Sequence, residues 1–503
     1  MILAILGLYL CALLAIGFAS RRMASSTGED FFLAGRGIGS FVLLMTLFGT
    51  HMTAFSLLGA SGEAYRVGIG VFGLMASASA LVAPAVFYFL GVRLWALGKR
   101  HGYITQVQFF RDRYGSKSFG LALFVVLVIL LIPYLLIGVK GGGITLEQIT
   151  EGAVPEWAGS LIIVAVVMSY VSFGGLRGTS WANTFQTLVF ITLGALAAVV
   201  ILRSMGGVET ALDRVAAQSP ELLVRGEAIP PLKMLTYLLI PLSVGMFPHI
   251  FQHWLSAQSA RTFRLPMVAY PLCIAAVWVP SVLLGVAGTA DVPGLEGSAA
   301  NGVLVRMIGL HAPELLAGLL TAGVFAAIMS SLDSQVLSMS SLFTHDVLRG
   351  TFGMDLSPAK QVLSGRLFVV LILAVTYGLS LASDPSLFRL GVWSFTGFAS
   401  LVPLALAAVY WRRSTLAGAW AALLTVIALW LYFFTQAGDI PGYSVGGTGV
   451  MPVAVIFAAA VVALVVVSLM TRPPSEDRLG RFFPESAGLG SSEAHRISRQ
   501  EGS

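Results

Sequence analysis

The stretch "LFGTHMTAFSLLGASGEAYRVGIG", residues 47–70, decides how the rest of the chain is to be read. It lies in an apolar run, yet it holds Gly49, Gly59 and Gly62 together with Thr50, His51, Thr53 and Ser56. Glycines loosen a helix and hydroxyls re-satisfy backbone groups, so a broken helix with freed carbonyls fits these residues. A glycine-rich helix that packs closely against a neighbour fits them equally well when the segment is taken alone. The stretch "LLIPLSVGMFPHIFQHWLSAQSA", residues 238–260, adds Pro241, Gly245 and Pro248 inside a second apolar run. Each proline removes a helix hydrogen bond, and one such kink would be unremarked in a membrane helix.

The surrounding composition is that of a polytopic membrane protein. Of its 503 residues 57% are hydrophobic and 11% charged, against roughly a quarter charged in soluble domains, and the mean hydropathy is +0.87. Apolar runs of about 20 residues place spans near 2–19, 40–64, 70–97, 118–147, 157–173, 182–202, 234–257, 267–289, 313–347, 362–382, 389–411, 415–435 and 450–471. This makes the chain all-α, with about thirteen transmembrane helices. The first run is followed by Arg21-Arg22 and lacks a basic segment before it, so it is expected to be a retained helix and not a signal peptide. Loops on one side, with the tail, carry 22 of the 30 Lys and Arg residues. The positive-inside rule then predicts the N-terminus outside and the C-terminus in the cytoplasm of a bacterial inner membrane. Residues 472–503, rich in Ser, Gly, Arg and Glu, are expected to be a disordered tail.

Several function classes find no support. Cys11 and Cys273 both lie in apolar runs, which excludes a disulfide framework and a Cys-ligated metal site. Gly98-Lys99 is followed by Arg100 and lacks the upstream glycine of a phosphate loop, so nucleotide hydrolysis has no visible seat. There is no HExxH pair or GxSxG elbow, and the basic residues are scattered through short loops and form no nucleic-acid patch. An enzyme is not expected.

Two interrupted spans roughly five helices apart are the mark of an inverted repeat whose breaks line a binding site. A third stretch, "AAIMSSLDSQVLSMSS" at 326–341, gives that site chemistry. Ala327, Ser330, Ser331, Ser334, Ser338 and Ser341 recur at three- and four-residue steps and form one polar stripe. Each serine alone is satisfied by bonding back to the preceding turn. Asp333 is not so explained, because a charge at mid-membrane costs at least about 2.5–3.5 kcal/mol.

At this point the sequence resembles the solute:sodium symporters, a family that includes bacterial sodium/proline, sodium/galactose, sialic acid and pantothenate carriers. The resemblance rests on "DFFLAGRGIG" (30–39), "RYG" (113–115), "GGLRGTSWANTFQ" (174–186), "FPHIFQHWLSAQSA" (247–260), "AAIMSSLDSQVLSMSSLFTHDV" (326–347) and "FTGFASLVPLALAAVYWRR" (395–413), in the family's order. It implies a LeuT-like core of five plus five inverted-repeat helices, with repeats at about 40–202 and 234–411 and extra helices before and after. It also implies a sodium site with carbonyl ligands from Gly49, Met52 and Ala327 and hydroxyl ligands from Ser330 and Ser331. A hard monovalent cation suits such neutral oxygens.

Two departures from the family pattern stand out. Asn183 occupies the place where members with a second sodium have an aspartate, while Asp333 stands where a hydroxyl is common. Asp333 can therefore join Asn183 and Ser334 in a modified cation site, bind a proton, or pair with Lys140. Lys140 has three other readings: snorkelling to the membrane interface, pairing with Glu147, or attraction of a solute carboxylate. Solute contacts are expected from Thr53, Phe55, Ser56, Lys140, Ser243, Phe247 and Phe398, with His51 and His249 as further candidates. The scarcity of Asn, Gln and Glu around these positions speaks against a sugar and for a small organic anion or amino acid. The function expected is sodium-coupled uptake of such a solute across the bilayer, with one chain sufficient. A proton-coupled carrier using Asp333 and a solute sensor without net transport are the alternatives.

Overall fold

The computed structural model describes residues 2–21, 32–382, 386–438 and 442–483. Among these residues the only β pairing is an isolated bridge between Ile38 and Ala257. Helix α1 (Ile2–Arg21) is followed by a broken span, α2 (Ser40–His51) and α3 (Phe55–Val67), bent by 58°. Next come α4 (Phe72–His101), the short α5 (Gln106–Tyr114) and the long α6 (Lys117–Ile149). Helices α7 (Glu156–Ser169) and α8 (Gly175–Ser204) precede the amphipathic α9 (Val208–Gln218). A second broken span, α10 (Pro231–Gly245) and α11 (Pro248–Ser256), is bent by 52°. It leads to α12 (Ala260–Asp291), α13 (Val303–His311), α14 (Glu314–Thr351), α15 (Pro358–Ala382) and α16 (Leu387–Tyr410). The described chain closes with α17 (Leu416–Ala437), α18 (Pro452–Met470) and α19 (Glu476–Phe482).

Among the described residues nine helices are long and apolar enough to cross a membrane, and each bent pair adds one more, giving eleven. The shorter apolar helices Leu3–Ile16 and Glu156–Ser169 fall on the two remaining runs, so each of the thirteen expected spans is helical. One boundary differs: α8 begins at Gly175, earlier than the polar run "GGLRGTSW" suggests. Gly175 itself takes φ 55°, a turn that only glycine makes cheaply. Arg177 in that run donates to the carbonyl of Ala34, so its charge is held by protein and the helix continues through it.

The two breaks have different causes. Helix α2 stops at His51 because Met52 turns extended (ψ 105°), and the Thr53 hydroxyl then accepts from the Phe55 amide at 2.9 Å, capping the start of α3. Gly49, the nearest glycine, serves a close approach instead: a Cβ there would strike the Thr187 hydroxyl. In the second break Pro248 forces Phe247 out of the helical region (ψ 123°) and starts α11 at its first position. The start of α2 and the end of α11 are tied together by Ile38 N to Ser256 O (3.1 Å) and Gln258 N to Ile38 O (3.0 Å).

Helix α14 lies at the centre, packed by α1, α6, α8, α11 and α15. Every residue from Leu320 to Leu342 is buried, so its polar residues face protein and not lipid. Gly138 on α6 permits this closeness, since a Cβ there would sit 2.5 Å from the Leu332 side chain of α14, and Gly141 does the same for the first break, where a Cβ would sit 2.7 Å from the Ala54 methyl.

The expectation of disorder from 472 onward does not hold for its first part. Helix α19 buries Leu479 and Phe482, Arg478 donates to the Tyr114 carbonyl (3.1 Å), and Glu476 pairs with Arg412 (2.8 Å). Its aromatic ends supply the docking force that a count of Ser, Gly and charge overlooks. Residues 484–503 of that tail lie outside the described residues.

Candidate functional site

The ends of α2 and the middle of α14 meet at three of the expected ion ligands. The Ser330 hydroxyl lies 2.9 Å from the Gly49 carbonyl and 3.1 Å from that of Ala327, all buried. Ser331 is on the same turn and its hydroxyl reaches the Ile328 carbonyl at 3.0 Å. Met52 sits at the broken end, where its sulfur accepts from the Trp278 indole at 3.3 Å. These are uncharged oxygens and a break in the backbone, a donor set suited to a hard monovalent ion held loosely enough to be released.

One turn further along α14, the Asn183 amide donates to the Ser334 hydroxyl at 2.7 Å, and His253 Nε2 lies 3.3 Å from the same hydroxyl. Asp333, fully buried, is within electrostatic range of Tyr9 on α1, whose hydroxyl faces the Gln186 amide. The structure thus joins Asn183 to Ser334 directly and sets the Asp333 carboxylate beside the first helix. Tyr9, Gln186 and His253 have no counterpart among the residues singled out from the sequence; Tyr9 sits in an ordinary apolar run and carries no signal there.

Lys140 has a partner that its sequence spacing does not point to. Its ammonium pairs with Glu156 at the start of α7 (2.8 Å) and lies 3.4 Å from the Ser380 carbonyl. Neither of the carboxylates expected for it, Asp333 or Glu147, is the partner in this pair, and Lys140 lines neither of the two cavities of the solute path. Glu156 lies beyond a turn in the sequence, so helical spacing from Lys140 points to Glu147, whereas the fold brings the next helix alongside.

Between the two breaks lies a small inner pocket whose walls include Phe55, Ser56, Ser243, His51, Trp278 and Tyr237. Its free volume is about 10 Å³, room for one water at most and none for a solute. The Ser243 hydroxyl is buried there without a hydrogen-bond partner among the described residues, and His51 Nδ1 contacts the Tyr270 hydroxyl. Thr53 is used as the cap at the break, while Phe247 stacks on His249 (5.1 Å) and meets Phe398 edge-on (4.8 Å) beside the pocket. Tyr134 joins them, donating to the freed His51 carbonyl at 3.0 Å. Tyr134, Tyr237 and Trp278 are lone aromatics in apolar spans, a pattern that the sequence gives no reason to single out.

Above the pocket an aromatic plug separates it from a vestibule of about 380 Å³. Phe55 forms the plug with Phe388 (5.6 Å, stacked), Phe395 (5.0 Å) and Trp278 (6.0 Å). Tyr237 lines both spaces.

The opposite end is closed by α5. Gln106 donates to the Met246 carbonyl in the second break (3.1 Å), and Thr105 donates to the Asp346 carboxylate (2.7 Å). Arg113 anchors α5 on the carbonyls of Ala408 (2.9 Å) and Trp411 (3.3 Å). Burial lowers the pKa of Arg113 from the usual arginine value, and Arg478 adds to the shift while the Tyr114 phenol opposes it. The rings of Phe482 and Phe483 lie 5.9 Å and 5.4 Å from its guanidinium carbon, so α19 braces α5 from behind.

Known proteins resemble this chain in sequence and in fold. The chain is 27% identical over 477 residues to the osmoregulated proline transporter OpuE of Bacillus subtilis (strain 168), with 94% of this chain and 95% of that protein covered. It is also 27% identical over 515 residues to the sodium/proline symporter of Escherichia coli (strain K12), with 97% of each covered. Among solved structures, a sodium-coupled sialic acid symporter in a substrate-bound outward-open state superposes with a TM-score of 0.78 at 17% identity, covering 94% of this chain and 99% of that one. The nucleobase-cation symporter Mhp1 gives 0.59 at 16%, covering 91% and 99%. These two likenesses bear on the fold, which is LeuT-like. The model of the sodium:solute symporter family matches residues 31–425, and this chain belongs to that family.

Proposed function

We propose that this protein carries a small solute bearing a carboxylate, an organic acid or an amino acid, into the cell together with sodium by alternating access. The observation that carries the reading is the Ser330 hydroxyl set between the carbonyls of Gly49 and Ala327, which links a broken helix to the central one. Sodium held there by Gly49, Met52, Ala327, Ser330 and Ser331 stabilises one arrangement of α2 against α14. The same break shapes the inner pocket through Phe55 and Ser56, so ion and solute favour each other's binding equally.

The solute class is supported by what lines the path. Among the described residues no Asn, Gln or Glu lines the inner pocket to meet a sugar's hydroxyls, and the relatives named for proline carry an amino acid. With Lys140 occupied by Glu156, the carboxylate needs another cationic partner. The N-terminus is placed outside and the α5–α19 end in the cytoplasm, because the basic loops gather at that end. The vestibule then faces outward and α5 closes the exit.

A second reading has its own observation: Asp333 is fully buried beside Tyr9 and Gln186. A carboxylate so placed is suited to a proton or a second cation. Uptake into proteoliposomes tests both. Accumulation driven by a sodium gradient, and absent with a pH gradient in sodium-free buffer, is the result expected; the reverse pattern refutes sodium coupling. No uptake under either gradient, with solute binding retained, would identify a sensor.

A further inference from the structure

The outer vestibule is larger than the inner pocket and carries charges that sodium-coupled transport through the inner pocket does not use. Glu63 and Arg66 on α3 pair at 3.1 Å, and Lys233 on the first turn of α10 lies within electrostatic range of Glu63. Arg389 at the start of α16 lines the same space, and even without it Arg66 and Lys233 outnumber Glu63 among the described residues that line it. Glu63 and Lys233 are only 5% and 7% exposed, and such shielding strengthens their field. Lys233 uses one of its three N–H donors on the Ala228 carbonyl (2.9 Å). The facing wall is apolar, built from Tyr237, Phe388, Trp393, Tyr443 and Met451. A volume of about 380 Å³ is that of a small-molecule site.

We propose that this vestibule is a second solute site, an antechamber that captures a small carboxylate with an apolar body on Lys233 and Arg66 before the aromatic plug opens. The proposal rests on the inward direction of transport in the proposed function. The excess of positive charge selects the carboxylate, and the aromatic wall holds the rest of the solute. No atom of the ion site lines this space, so capture requires no sodium. Lys233 supplies the cation that Lys140 cannot.

The test uses the purified full chain with choline replacing sodium. The probes are butyrate against butyramide and L-proline against L-prolinamide, pairs that differ in the carboxylate. Emission from Trp393, isolated by subtracting the Trp393→Phe variant, reports occupancy. A saturable change with the acids and at least tenfold weaker response to the amides is expected. Lys233→Gln should raise the half-saturating acid concentration at least tenfold, and Lys233→Arg should restore it. If Lys233→Gln does not fold, Arg66→Gln is held to the same expectation. Equal response to acid and amide, no response to either, or unchanged half-saturation in the folded variants overturns the antechamber. Sodium-driven uptake persisting alongside such a result would leave the transport reading standing. Absence of sodium-driven uptake in the unsubstituted protein, with acid binding intact, would refute that reading and with it the antechamber role, while the carboxylate site in the vestibule would stand.

Discussion

Replacing Ser330 by alanine gives the most direct test of the ion site, and its size follows from two opposed losses. In the sodium-free protein the change removes a buried hydroxyl donor to the Gly49 and Ala327 carbonyls, costing about 1 kcal/mol. In the sodium-bound protein it removes one neutral oxygen from a charged partner, costing about 1.5–3 kcal/mol. The difference, about 0.5–2 kcal/mol, weakens sodium binding roughly 2- to 30-fold. The assay is the sodium concentration for half-maximal uptake into proteoliposomes at saturating solute, repeated as sodium-induced thermal stabilisation of the purified protein. Ser338→Ala on the same helix is the control, because its hydroxyl only bonds back to Gln335 (2.8 Å). Ser330→Ala with unshifted sodium dependence by both measurements, in a protein that still takes up solute, would refute the ion site.

Further expectations concern the neighbouring groups. Asp333→Asn should turn a sigmoidal sodium dependence of uptake hyperbolic if the carboxylate holds a second cation; an unchanged curve removes Asp333 from ion binding. Gln106→Leu leaves the buried Met246 carbonyl without its donor, so the closed inner end should lose about 1–3 kcal/mol. A cysteine introduced at Ser243 in a background lacking Cys11 and Cys273 should then label faster from the cytoplasmic side, and unaltered labelling counts against α5 as the closing element. Lys140→Met strands Glu156, which is partly exposed and regains water, so folding should fall by no more than about 1 kcal/mol while the preference for acid over amide in uptake stays. Loss of that preference would return Lys140 to the solute site.

Residues 47–70 and 238–260 carry marks of both helix breaks, because proline, glycine and hydroxyl residues act on the backbone locally, but the first stretch taken alone fits a packing helix equally well and only the pair points to breaks. The position of the first break was not legible: glycines and hydroxyls are spread from Gly49 to Gly62, and the Thr53 cap marks it. The candidate ion ligands came from the family resemblance and not from local spacing, and the fold brings three of them, Gly49, Ala327 and Ser330, together. The vestibule was not legible either, since Glu63, Lys233 and Arg389 lie far apart in the chain and become neighbours through three separate helices. Lys140 illustrates the limit most plainly. Helical spacing offers Glu147, and only the turn into α7 brings Glu156 within 2.8 Å. Tyr9 belongs to a helix that looks like any apolar anchor, and its place beside Asp333 depends on packing between helices remote in sequence.

The short α19 makes Glu476–Phe482 a strut for the end of the protein that α5 closes. Its grip runs from Arg478 and Phe482 through α5 to Gln106, and so to the backbone of a broken membrane helix. A protein trimmed after Thr471 would keep every atom of the ion site yet swing its exit more freely, giving faster solute leak from loaded vesicles. Bulky tags joined close behind Phe483 would disturb turnover in the same way, whereas tags on a longer spacer would leave it alone.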